Sequence, residues 1–177
     1  DIIFDGQYGS ADTLDIDDDA SDLALRRVEV RRSGRDCIDM GAPDGVSIVD
    51  SEIHHCLHYD ADDEERVDAH GITGGAVTNL VIEGTDIHTF SGDAVQVDPG
   101  RTAPGWTNIV IRDCRFWLAP LEEDTNGFLA GQVPGENADD TKTMTDGTRA
   151  VLTIEDSSFW GFRDGIDFSN QAALLFK

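Results

Sequence analysis

The chain has 177 residues, 39% of them apolar, which is enough for one domain with a real core. A formal charge of −23 and a pI near 4.2 exclude a phosphate-backbone partner, because binding nucleic acid needs Lys and Arg to displace counterions. No apolar run is long enough to cross a bilayer, and Cys37, Cys56 and Cys114 lack zinc spacing, their odd number leaving the redox compartment open.

Short strand-like segments recur from one end of the chain to the other. In order they are TLDID (13–17), DLALRRVEV (22–30), DCIDM (36–40), GVSIVDSEI (45–53), AHGIT (69–73), NLVIEGTDI (79–87) and AVQVD (94–98). NIVIRDCRF (108–116), ADDTK (138–142), VLTIEDSSF (151–159) and GIDFS (165–169) complete the series. The five nine-residue segments superpose without gaps. Their apolar residues stand at one position, two later and five after that, as in Leu80, Ile82 and Ile87. The first interval has the period of a half-buried strand. The second changes parity, so the chain must turn a corner, at Arg27, Asp50, Gly84, Asp113 or Asp156; Gly and Asp tolerate the left-handed backbone of a tight bend.

Three short strands per turn, with a minimum period of about 23 residues, predict an all-β protein. The expected architecture is a parallel β-helix solenoid of about six coils, one domain over 1–177, with coils about 4.8 Å apart. Two long insertions, 54–68 and 117–137, both enter the five-residue strands, and loops crowded there predict a walled groove. The last residues, AALLFK, match the start of another coil, so further coils or a cap are expected beyond Lys177.

On the loop-walled strand the outward residues are predicted to form two ladders. One is Asp15, Asp39, Gly71, Gln96, Asp140 and Asp167; the other is Asp17, Gly41, Thr73, Asp98, Lys142 and Ser169. Stacked carboxylates repel, so they are protonated, well separated, or holding a cation, for which Ca2+ is the natural candidate. The plain alternative is a solvated polar face. Asp139 falls on an inward position, where other coils carry Ile38, Val95 or Ile166; either it has a partner or the register slips by one. Lys142 reads as a salt-bridge partner or as a general base.

His70 reads as a core residue and His88 as a ladder partner of His54, while His54, His55 and His58 form a weak metal pattern. Arg101 and Arg163 are placed either to receive a substrate carboxylate or to form surface ion pairs. Trp106, Trp117 and Trp160 are candidates to stack sugars or to cover the ends of the core.

The stretches NLVIEGTDIHTFSGDAVQVD, NIVIRDCRFW and VLTIEDSSFWGFRDGIDFS resemble the pectate-lyase-like superfamily of right-handed parallel β-helix proteins, over essentially the whole chain. The resemblance implies a secreted or cell-surface protein acting on an acidic polysaccharide by calcium-assisted β-elimination. NADDTKT resembles the acidic-plus-lysine region of lysine-base lyases. That likeness implies Asp98, Asp139 and Asp140 on calcium, with Lys142 as the base that takes the C5 proton and Arg101 as a second catalytic residue. Gln96, Arg163, Asp167 and Trp106 are the expected substrate contacts. Other members of the superfamily leave two alternatives. One is a glycoside hydrolase using Asp98, Asp140 and Asp167, although its Asn-Thr-Asp and Gly-His-Gly motifs are missing here; the other is a non-catalytic, adhesin-like module.

Overall fold

The computed structural model describes residues 1–98, 105–142 and 151–162, together with the backbone of 165–168 and 173–176. The described residues contain strands and no helix. Three six-stranded sheets, all parallel, hold nearly every strand. Sheet A stacks Ile2–Asp5, Val28–Ser33, Glu52–Cys56, Asp86–Phe90, Arg115–Trp117 and Ser158–Trp160. Sheet B stacks Leu14–Ile16, Ile38–Met40, Ile72–Gly74, Val95–Val97, Asn137–Thr141 and Gly165–Phe168. Sheet C stacks Ser21–Arg26, Asp44–Val49, Thr78–Glu83, Thr107–Arg112, Val151–Glu155 and Ala173–Phe176. The chain visits A, B and C in that order six times, and within each sheet the spatial order is the sequence order.

The predicted apolar columns are the core. Val30, Ile53, Ile87, Phe116 and Phe159 are in register along sheet A. Val46, Leu80, Ile109 and Leu152 line sheet C, and Ile38, Ile72 and Val95 line sheet B, all essentially inaccessible. Each such side chain contributes about 1.5–3 kcal/mol by leaving water. The five corner residues all adopt left-handed backbone, with φ of 52° at Arg27, 51° at Asp50, 57° at Gly84, 54° at Asp113 and 45° at Asp156.

One register differs from expectation. Thr73, not Gly71, stands beside Asp39 and Gln96, and Ile72 stands beside Ile38 and Val95. A slip of two residues leaves every side chain on its original face, so alternation alone could not detect it. At Gly71 a Cβ would meet Ala94 O at 2.6 Å, which explains why the chain approaches so closely there.

The two insertions have structure of their own. His58–Asp60 and Glu65–Val67 form an antiparallel hairpin. Leu57, Leu121 and Phe128 make a small separate core, with Tyr59 edge-on to Phe128 at 5.5 Å. Arg66 ties the hairpin to the second insertion through Glu136, and to the body through Ser91 O. Cys37 and Cys56 form a buried disulfide, while Cys114 is a buried thiol whose pKa burial pushes up to about 11.

Candidate functional site

The short B strands alternate strictly. Ile38, Ile72, Val95 and Asp139 share the inward column, and Asp15, Asp39, Thr73, Gln96 and Asp140 share the outward one. Asp139 is 1% exposed, so its carboxyl is on the core side, opposite to that of Asp140. The cation set Asp98, Asp139 and Asp140 is therefore drawn from two neighbouring strands and split between the two faces of sheet B. Asp98 and Lys142 lie just past the paired Val97 and Thr141, and the Lys142 amide donates to Val97 O at 2.9 Å. Asp98 is exposed, and Lys142 Nζ pairs with Asp140 Oδ2. Burial works against the Lys142 charge, but Asp140, aided by Asp93 and Asp98, outweighs it and holds the ammonium above its ordinary value.

A second ladder runs through the turns that precede the B strands. Asp12 Oδ1 accepts the Asp36 amide at 3.0 Å, and Asp36 Oδ1 accepts the His70 amide at 2.6 Å. His70 Nδ1 accepts the Asp93 amide at 2.9 Å, and Asp93 Oδ1 accepts the Asn137 amide at 3.1 Å and its Nδ2 at 2.9 Å. His70 must keep Nδ1 bare to do this, which puts its proton on Nε2 when the ring is neutral. A Cβ on Gly92 would approach that Nδ1 to 2.6 Å, so glycine is required there. Burial raises the pKa of Asp36 and Asp93, with His70 partly opposing it. Asp93 Oδ2 accepts from Gln96 Nε2 at 3.1 Å, which joins the turn ladder to the outward column. Asp36 and Asp93 were not among the expected site residues. Their signal was present in the sequence, since Asp12, Asp36 and Asp93 stand just ahead of three of the first four B strands, with His70 in the same place ahead of the other.

Other expectations are redistributed. Trp106 is wholly buried, with Nε1 donating to Lys142 O at 3.4 Å, so its ring offers no face to a sugar. It covers the core beneath Lys142 instead. Arg101 and Arg163 lie outside the described residues, and Asp167 is placed by its backbone alone, beside Asp140. Among the described residues no three His, Cys, Asp or Glu side chains converge as a metal cage does. Asp98 and Asp140 are nevertheless oxygen donors of the kind a hard cation takes.

The second insertion stands against sheet A. Segment 119–126 roofs two cavities there, of about 430 and 550 Å³, with His55 bordering both. His54, His88, Trp117 and Trp160 form a column of near-parallel rings, with centroids 5.0, 4.3 and 5.1 Å apart. Parallel rings this close overlap face to face. The flanks of Trp117 are therefore covered by His88 and Trp160, and Trp117 cannot serve as a sugar platform.

Compared with known proteins, the chain matches no family model, no curated protein and no solved structure.

Proposed function

We propose that the chain is a right-handed parallel β-helix of about six coils, and that the outward face of sheet B binds and cleaves an acidic, uronate-containing polysaccharide by calcium-assisted β-elimination. The solenoid is supported by six repetitions of the order A, B, C through all-parallel sheets, since parallel crossovers are right-handed by strong preference. The observation that carries the chemistry is the register of Val97 with Thr141, which sets Asp98 beside Lys142 and Gln96 beside Asp140.

In β-elimination a base removes the proton at C5 of the uronate, the electron pair left behind forms the C4–C5 double bond, and the C4–O bond breaks as the departing oxygen takes a proton from solvent. Calcium, when bound, supplies the charge that neutralises the uronate carboxylate. Asp98 and Asp140 are the residues that would hold it. With Asp140 turned to a bound cation, Lys142 would lose its main charge partner, and the cation's own charge beside it would lower it toward the neutral amine that a C5 base requires. Gln96, oriented by Asp93, offers its remaining amide groups to sugar hydroxyls. Arg101 and Arg163 would pair with neighbouring uronates. A buried disulfide supports a secreted or cell-surface location, where such bonds persist.

Asp93 has the raised pKa of a glycosidase acid, but both of its oxygens are taken by Asn137 and Gln96, which favours elimination over a hydrolase built on it. The test is digestion of pectate, alginate and chondroitin with calcium, followed by the ultraviolet absorbance of unsaturated uronate. Chelator is expected to abolish the signal, and Lys142→Ala to lower the rate about 100-fold or more. Full activity in Lys142→Ala refutes the lyase reading. New reducing ends without unsaturation would move the assignment to hydrolysis by Asp98 and Asp140.

A further inference from the structure

Sheet A carries a pair of histidines that the sheet B reading does not use. In a regular strand adjacent side chains point to opposite faces. The strand Glu52–Cys56 breaks this rule, because His55 has a φ of 58°, and His54 and His55 both lie half-buried on the outside. The same left-handed position recurs at Arg32 and Thr89, in the coils before and after. The bend therefore belongs to the fold, and in this coil it sets two imidazoles side by side.

The two rings lie nearly edge to face, at 78°, with Nδ1 of one 2.6 Å from Nδ1 of the other. Two nitrogens come this close only when something positive lies between their lone pairs. A proton does this in a hydrogen bond, whichever ring carries it. A divalent transition metal also takes imidazole lone pairs, and it can replace that proton. At metal–nitrogen bonds of about 2.0 Å, a right angle sets the nitrogens about 2.8 Å apart and a tetrahedral angle about 3.3 Å. The pair has far less to open for the first than for the second, and right angles are the preference of Cu2+ and Ni2+.

The surroundings favour a cation. His54 Nε2 stands 3.2 Å from Glu29 Oε1, and Arg31 pairs with that same oxygen at 2.7 Å. A carboxylate on the outer nitrogen of a ligand histidine fixes the ring and raises its basicity. Both histidines line the cavity of about 430 Å³, together with Arg31, Arg32, Glu123 and Asp124. Both arginines are paired with Asp5, so the carboxylates of Asp5, Glu29, Glu123 and Asp124 outnumber the guanidiniums there. His88, stacked on His54, is not a ligand, because Glu52 at 3.2 Å and Thr89 at 2.9 Å engage its two nitrogens. Among the described residues no third His, Cys, Asp or Glu closes a cage around the pair, which leaves the remaining coordination positions open to the cavity.

We propose that His54 and His55 hold a divalent transition metal of tetragonal preference, Cu2+ or Ni2+, through their Nδ1 atoms, with Glu29 orienting His54. The site lies on a different sheet from Lys142 and does not depend on the lyase reading.

The test is Cu2+ binding to the full chain in millimolar calcium, which occupies carboxylates but leaves imidazoles free. One equivalent of copper should survive dialysis, and its electron paramagnetic resonance spectrum should show coupling to two imidazole nitrogens. His54→Gln and His55→Gln should each weaken binding about tenfold or more and remove one of those couplings. Glu29→Gln should weaken binding about 10–100-fold with both couplings kept, as expected of a positioning residue. Lys142→Ala should bind copper as the native chain does. Loss of all copper on dialysis, or copper without nitrogen coupling, overturns the proposal in the native chain alone. Undiminished two-nitrogen binding in His55→Gln overturns it as well.

Discussion

Asp93 is 3% exposed and receives three hydrogen bonds, two from Asn137 and one from Gln96. Truncation would strand buried donors, each at a penalty of about 1–3 kcal/mol. Asp93→Ala is therefore expected to lose roughly 3 kcal/mol or more in urea unfolding, and Asp93→Asn less, because an amide oxygen can still accept from Asn137. A loss below about 0.5 kcal/mol for the alanine variant would mean that the turn ladder is not formed. At this scale the sequence was informative where a residue broke a column. Asp139 stood out because its neighbours in the column are apolar, and it does occupy the inward place. Trp106 could not be decided in the same way, since an aromatic beside a turn fits either a sugar platform or a core lid. Its burial depends on a packing partner, Lys142 O, that no local pattern reveals.

Among the elements, the corners were legible because a change of parity between apolar positions has only one geometric meaning, a bend between two strands. All five carry left-handed φ, including Arg27, which has none of the usual preference for it. The Ile72–Gly74 register was illegible, since it follows the hairpin insertion and a two-residue slip preserves alternation. Also hidden was the left-handed position shared by Arg32, His55 and Thr89, which carry no common residue type. The disulfide is a device of this scale. It ties the end of Glu52–Cys56 in sheet A to the start of Ile38–Met40 in sheet B, just where the first insertion leaves the body. With its ends 19 positions apart, the paired variant Cys37→Ala/Cys56→Ala should lose about 3 kcal/mol of stability, read from thermal or urea unfolding under oxidising conditions. Unchanged stability would mean that the bond is absent from the folded protein.

For the whole molecule, three parallel sheets visited in a fixed order turn a one-dimensional repeat into columns of side chains. That is why the columns could be read from one sequence, and why the outward ladder of sheet B was largely correct. The cavities on sheet A could not be anticipated, because they depend on where an irregular insertion comes to rest, held by Tyr59 against Phe128 and by Arg66 against Glu136. The high negative charge acts at this scale too, since any cation entering the sheet B face competes with Lys142 for Asp140.

That competition gives the most direct test, and the composition makes it simple, because Lys142 and Lys177 are the only lysines. The pH titration of the Lys142 Cε resonance should show an ammonium held above its ordinary value of 10.5. Asp98→Asn, from the neighbouring strand, should bring it closer to 10.5, and saturating calcium should lower it in the native chain. A Lys142 that titrates like a free lysine, indifferent to Asp98→Asn and to calcium, would contradict both the strand register and the chemistry built on it.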